Sequence, residues 1–208
     1  MIIDCKNPNA IKEVLSSLKN EDIFIYPTDT LYGFGGDARS EKVVERLYEL
    51  KQRSEHMPIS MLVRDTEMLS GFAEIFDKTQ KLINAFLPGA LTLVLPAKDN
   101  SLPDKLFSVQ GYLGFRIPDH DFCRNISSEF SGPIITTSVN LSGQPVLNDI
   151  ESINDQFGKY IDLMISDRDF EMQNNVFAST VVMITENDTM KVLREGKIST
   201  EEITRILR

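Results

Sequence analysis

Three pairs of polar residues at i, i+2 spacing are the strongest chemical features of this 208-residue sequence: Thr28/Thr30, Lys51/Arg53 and Ser138/Asn140. Each pair lies at or near the end of an apolar segment. In extended backbone such residues point to the same side, whereas on a helix they diverge. Each pair can therefore present two groups together, and loops beyond strand ends are where open α/β sheets build ligand sites. Two cations, several hydroxyls and an amide suit an anionic, oxygen-rich ligand such as a nucleotide phosphate. Two further arginines sit where a charge needs a reason. Arg116 interrupts the apolar run Gly114-Phe115-Arg116-Ile117, and Arg194 ends Val192-Leu193-Arg194. A charge inside such a strand must be paired or belong to a site.

Each feature also has a plainer reading. Lys51 and Arg53 fit the solvated end of a helix, where cations suit the dipole. Thr28-Asp29-Thr30 fits turn chemistry after a proline. Ser138 and Asn140 fit a loop closed by local side-chain bonds. The common phosphate-loop and nucleophile-elbow motifs are missing from the sequence. Gly33-Phe34-Gly35-Gly36 is too short for a dinucleotide fingerprint and reads as a turn with special backbone angles. His56 and His120 lack a Cys or His at ligand spacing, which argues against structural zinc.

The elements that would position these residues alternate between helix and strand. Asn7 as N-cap and Pro8 at the first helical position start a helix carrying Ile11, Val14, Leu15 and Leu18. Ile23 to Tyr26 is a short buried strand stopped by Pro27. Ser40 caps a second helix with Val43, Val44, Leu47 and Tyr48 on one face. Ile59 to Val63 is a strand, and Thr66 to Phe86 forms two helical pieces closed by Leu87-Pro88-Gly89. Leu91 to Leu95 and Tyr112 to Ile117 are strands, His120 to Phe130 is helix, and Pro133 to Thr137 is a strand leading into a polar loop. Ser179 to Ile184 and Met190 to Leu193 form a closing strand pair, and the capping box Ser199-Thr200-Glu201-Glu202 opens a last helix. This mixture predicts an α/β or α+β domain with a mixed sheet whose strand order the sequence leaves open.

Composition narrows the class. Hydrophobic residues make up 41% and charged residues 25%, ordinary for a globular protein and unlike a disordered chain. Two Cys, Cys5 and Cys123, make no disulfide framework and read as reduced thiols. A net charge of −9 argues against a broad nucleic-acid face, though not against a local basic pocket. No apolar run is long enough to cross a membrane, and the N-terminus has no secretory pattern. The expectation is one cytoplasmic domain over residues 1–208 with no membrane partner.

At the residues already singled out, the sequence resembles the YrdC-like family. Tyr26-Pro27-Thr28-Asp29-Thr30-Leu31-Tyr32-Gly33-Phe34-Gly35 resembles its opening signature, and Lys51-Gln52-Arg53 its Lys-x-Arg element. Leu87-Pro88-Gly89-Ala90-Leu91-Thr92, Gly114-Phe115-Arg116-Ile117-Pro118 and Ser138-Val139-Asn140-Leu141-Ser142-Gly143 are similar to its Pro-Gly turn, Arg-Ile-Pro strand end and Ser-x-Asn loop. Ser179-Thr180-Val181-Val182 and Leu193-Arg194-Glu195-Gly196 resemble its closing strand and turn. The resemblance runs from about Pro8 to Ile198, in order. Its closest likeness is to threonylcarbamoyl-AMP synthases of the TsaC/YrdC type.

The resemblance implies a single YrdC-like α/β domain, a twisted mixed β-sheet flanked by helices around a concave site. Longer members carry an extra C-terminal domain, for which this sequence leaves no room. The implied reaction joins L-threonine, bicarbonate and ATP, with Mg2+ accompanying the nucleotide, and yields threonylcarbamoyl-adenylate and pyrophosphate. The implied partner is a separate tRNA threonylcarbamoyltransferase that consumes the adenylate, with weak tRNA binding by this chain a further expectation. Lys51 and Arg53 are the catalytic candidates and would meet phosphate oxygens. Thr136, Ser138, Asn140 and Arg194 would hold the nucleotide. Thr30, Arg116 and Ser179 would hold threonine, with Arg116 on its carboxylate. Lys51→Ala and Arg53→Ala would then lose far more turnover than stability. The sequence departs from the family at Ser54, where proline is usual, at His56-Met57-Pro58, and over 167–178, which lacks a glycine-rich run and reads as a mobile lid. The alternative is an RNA-binding relative without this activity.

Overall fold

The structure, a computed structural model, describes residues 1–54, 57–98, 101–172 and 177–208. The described elements run β1 (Ile2–Asp4), α1 (Ala10–Lys19), β2 (Phe24–Tyr26), β3 (Gly33–Gly35), α2 (Glu41–Lys51), β4 (Ser60–Leu62), α3 (Thr66–Phe72), α4 (Asp77–Phe86) and β5 (Leu91–Pro96). They continue with β6 (Tyr112–Arg116), α5 (Asp121–Glu129), β7 (Ile134–Ser138), α6 (Ile150–Phe157), β8 (Leu163–Ser166), α7 (Arg168–Glu171), β9 (Thr180–Ile184), β10 (Met190–Arg194) and α8 (Thr200–Leu207). The strands join in one mixed sheet, ordered β1-β8-β2-β3-β7-β4-β6-β5-β9-β10. Pairs β1/β8, β2/β8, β4/β6 and β5/β9 are parallel.

Local chemistry explains most boundaries. Ser40 accepts from Val43 N and starts α2. Ser199 and Glu202 close a reciprocal capping box on α8. The start of α1 differs from the expectation. Asn7 caps nothing helical; its Oδ1 takes Asn9 N at 2.9 Å and its carbonyl takes Ala10 N, so Asn7-Pro8-Asn9 is a turn and the helix begins at Ala10. Gly33-Phe34-Gly35 also differs, being strand β3 between β2 and β7. The glycines serve space there. A Cβ on Gly35 would lie 2.5 Å from the Phe24 ring and 2.9 Å from that of Tyr26. β1, α6 and β8 are elements the sequence reading did not mark.

The two sheet faces are treated differently. On one face, Phe34, Met61, Leu93, Phe115, Ile135 and Val182 pack with Val43, Val44 and Leu47 of α2, Leu82 of α4, Ile153 of α6 and Ile203 of α8. On the other, Phe24, Tyr26, Leu62, Ile134 and Ile165 pack beneath α1 and α5, through Val14, Leu18, Phe122 and Ile126. The rest of that second face lies open.

Candidate active site

The open part of the sheet face holds a cavity of about 510 Å3. Strand alternation builds it, because every second residue points to one side. Gly33, Ser138, Thr136, Ser60, Gly114, Arg116, Thr92, Val94, Val181 and Met183 line it. Their in-between neighbours Phe34, Ile135, Met61, Phe115, Leu93 and Val182 sit in the core behind. Register brings the lining together: Gly33 pairs with Ser138, Thr136 with Ser60, and Ser60 with Gly114. Gly114 keeps the floor low, since a Cβ there would lie 2.9 Å from Ser60 Oγ.

Three arginines enter this cavity from different segments. Arg116, on β6, is 5% exposed. Its Nη1 donates to Thr30 Oγ1 at 2.6 Å, its Nη2 donates to Asp29 Oδ1 at 2.7 Å, and its buried Nε has no partner. Arg194 donates through Nε and Nη2 to the Ser179 carbonyl at 3.3 and 2.9 Å, and the Ser179 hydroxyl lies 2.8 Å from Thr92 Oγ1. Arg53 donates to the carbonyls of Met57 and Pro58 at 2.7 and 3.0 Å. Burial holds the Arg53 and Arg194 guanidiniums below their ordinary pKa, and Arg194 is lowered further by the charges of Arg116 and Arg53. Among the described residues, Asp29 is the carboxylate bonded to this cluster. An anion entering here gains charge-assisted hydrogen bonds and relieves the mutual repulsion.

Lys51 is placed otherwise. It ends α2 and is wholly buried, not solvated. Gln52 is left-handed with φ 50°, so Lys51 and Arg53 diverge instead of pointing together. Lys51 Nζ donates to Ser138 O at 2.5 Å, Asn140 O at 2.9 Å and Asn140 Oδ1 at 3.1 Å. Three oxygen acceptors match the three protons of an ammonium. Burial, then the nearby charge of Arg53, pushes its pKa down to about 7. Asn140 Oδ1 also accepts from Ser138 Oγ at 2.8 Å, and its Nδ2 donates to Gln144 O. Lys51 and Asn140 therefore brace the loop behind Ser138 and do not line the cavity.

The structure thus brings seven of the nine candidates, Thr30, Arg53, Arg116, Thr136, Ser138, Ser179 and Arg194, onto one cavity. Sequence reasoning missed Ser60, a polar residue inside an apolar strand, and Thr92, which props Ser179. It also missed Asp29 as the counter-charge of Arg116. The segment expected as a lid is pinned over its first half. Asp167 caps α7 and lies 3.0 Å from His120 Nε2, while Tyr32 OH donates to Glu171 Oε1 at 2.7 Å and accepts from Asp167 N at 2.8 Å. Residues 173–176 of that segment, and His56, lie outside the described residues. Among the described residues, no cluster of three His, Cys, Asp or Glu side chains is placed to hold a metal ion, and no helix is long and apolar enough to cross a membrane.

Comparison with known proteins extends this geometry. The Sua5_yciO_yrdC family model, described as "Telomere recombination", matches residues 16–196. The chain belongs to this Sua5/YciO/YrdC family. It is 35% identical over 203 residues to a relative in Methanocaldococcus jannaschii, covering 96% of this chain and 93% of that one. It is 31% identical over 162 residues to the threonylcarbamoyl-AMP synthase of Yersinia enterocolitica, covering 76% and 85%. Among solved structures, P. abyssi Sua5 complexed with L-threonine superposes with a TM-score of 0.90 at 26% identity over the whole chain, which spans 61% of that protein's length. E. coli YciO shares the fold, with a TM-score of 0.85 at 24% identity and 98% coverage of both chains. The mixed α/β sheet with its open concave face is the family's fold.

Proposed function

We propose that this chain is a nucleotidyltransferase that makes L-threonylcarbamoyl-adenylate from L-threonine, bicarbonate and ATP, with residues 1–208 acting as one domain. The observation that carries this reading is the convergence of Arg53, Arg116 and Arg194 with a row of hydroxyls on one open sheet face. The activity named for the Yersinia relative and the L-threonine bound by P. abyssi Sua5 support it.

The chemistry asks for positioning and charge neutralisation more than for a protein nucleophile. The threonine nitrogen bonds to the carbon supplied by bicarbonate, which loses water, and gives a carbamate. A carbamate oxygen then attacks the α-phosphorus, the bond to the β-phosphate oxygen breaks, and pyrophosphate leaves. Arg116 takes the threonine carboxylate, with Thr30 and Ser179 on the same substrate. Arg53 and Arg194 hold phosphate oxygens as charge shifts to the leaving pyrophosphate, and Thr136 and Ser138 hold the nucleotide. Lys51 and Asn140 keep Ser138 in place. The described cavity lining holds no carboxylate, and nearby Asp29 is already engaged by Arg116, so the lining offers magnesium no cage of its own. The ion would arrive as part of the nucleotide substrate. The mixed anhydride product suits transfer to a nucleophile, and by family resemblance that step belongs to a separate tRNA-modifying enzyme.

Pyrophosphate release by the purified chain tests the reading. Release that requires both L-threonine and bicarbonate, with L-serine much poorer, is the expected result. Release independent of threonine, or none from folded protein supplied with magnesium, would overturn it.

A further inference from the structure

We propose that Asp29 is the positioning residue that sets the orientation of Arg116 toward an amino-acid carboxylate. The inference rests on the reading of Arg116 given above and goes beyond it to a residue that does not line the cavity.

Thr28 Oγ1 donates its one proton to Leu31 O at 2.7 Å. Thr28 Oγ1 also accepts from Thr30 N and Leu31 N, both at 3.2 Å, and Thr30 Oγ1 lies 3.2 Å from it. Arg116 Nη1 in turn donates to Thr30 Oγ1. A turn bonded to itself through Thr28 thus offers Arg116 the Thr30 hydroxyl. It fixes one corner of the guanidinium but brings no negative charge. Asp29 fixes the other corner through Nη2 and brings the charge. Two anchors on different nitrogens lock both the position and the rotation of a planar group.

The lock matters because of burial. The side chains of Arg116 and Asp29 are 7% and 10% exposed. A buried guanidinium that loses its carboxylate is strongly destabilised, and here the nearby charge of Arg194 adds repulsion. Without Asp29, Arg116 would turn away from the arginine cluster. With it, the Nη protons that Thr30 and Asp29 do not take stay available for a carboxylate. Both anchors come from the loop after β2, and three strands, β3, β7 and β4, separate β2 from β6 in the sheet. Asp29 thus ties a distant loop to the residue that recognises the amino acid.

The test is discrimination between L-threonine and L-threoninamide, which lacks the carboxylate charge, read as the ratio of their kcat/KM values in the wild type, Asp29→Asn, Asp29→Ala and Arg116→Ala. Taking the ratio within one variant cancels any loss of folded protein. Arg116→Ala should lower the ratio about a hundredfold, and Asp29→Asn about tenfold, with Asp29→Ala between them, as expected for weakened and lost charge-assisted bonds. The KM for ATP should stay within about twofold in the Asp29 variants, because their effect passes through Arg116 alone. The double variant should be no worse than Arg116→Ala. A ratio that collapses in Arg116→Ala but is unchanged in both Asp29 variants would overturn the role of Asp29 and leave the reading of Arg116 intact. A ratio unchanged in Arg116→Ala would overturn both.

Discussion

Lys51→Met and Arg53→Ala should separate what the sequence groups together. Lys51 Nζ holds the carbonyls of Ser138 and Asn140 and the Asn140 amide oxygen. Methionine keeps most of the buried stem but leaves two carbonyls without their donor, while Asn140 Oδ1 keeps Ser138 Oγ. An orphaned buried acceptor costs about 1–3 kcal/mol. Relief from burying an ammonium offsets part of that, so a net loss of about 2 kcal/mol is expected. For a chain of this size that is a fall in Tm of roughly 4–8 °C. Arg53 is only partly buried, and its partners are the carbonyls of Met57 and Pro58. Its loss should cost at most about 1 kcal/mol. Both variants should lose turnover, Arg53→Ala by about 100-fold or more as a lost phosphate contact, and Lys51→Met through a displaced Ser138. The assay is calorimetric melting at pH 9.5, where the burial cost of the Lys51 charge is largely relieved, beside pyrophosphate release at saturating substrates. Lys51→Met melting with the wild type, or Arg53→Ala melting as far down as Lys51→Met, would refute the brace.

Three further outcomes follow from the same geometry. Burial lowers the Lys51 pKa from 10.5 to about 7, so the folded state sheds this proton before the unfolded state does. Between those values wild-type stability should rise with pH relative to Lys51→Met, by about 1.4 kcal/mol per pH unit; urea midpoints of both proteins at pH 7.5 and 9.5 check the sign, and a constant difference would contradict it. Gly35→Ala should destabilise by roughly 1–3 kcal/mol, because its methyl meets the Phe24 and Tyr26 rings; an unchanged Tm would mean that those rings yield. Thr92→Val should raise the KM for L-threonine several-fold with little change in Tm, because it frees the Ser179 hydroxyl; steady-state kinetics with threonine varied would show an unchanged KM if Ser179 needs no prop.

The site was legible wherever a residue type conflicted with its surroundings. Arg116 stood out as a charge in an apolar strand, and Thr28 and Thr30 line one cavity as their spacing implies. The same argument failed at Ser138 and Asn140, because the strand ends at Ser138 and Asn140 is turned onto Ser138 Oγ and Gln144 O, and at Lys51 and Arg53, because a helix ends at Lys51 and Gln52 turns left-handed. Spacing alone cannot tell helix end from extended chain. β3 escaped notice because glycine has weak strand propensity, and the rings of Phe24 and Tyr26 that exclude any side chain there are tertiary facts. The counter-charge role of Asp29 and the prop from Thr92 depend on strand order, which brings loops far apart in sequence onto one face. His120, Asp167 and Glu171 fix the start of the 167–178 segment through contacts with Tyr32 and with one another that no local pattern records.

The central claim is that the arginine-lined sheet face joins threonine, a one-carbon unit and an adenylate. Mass spectrometry of the product formed from L-threonine, ATP and isotopically labelled bicarbonate tests it most directly. The account predicts one adenylate carrying both the threonine and the labelled carbon, formed at least about tenfold more slowly by Arg53→Ala and Arg116→Ala at matched concentration. An adenylate of threonine itself without the labelled carbon, or labelled product undiminished in both variants, would contradict it.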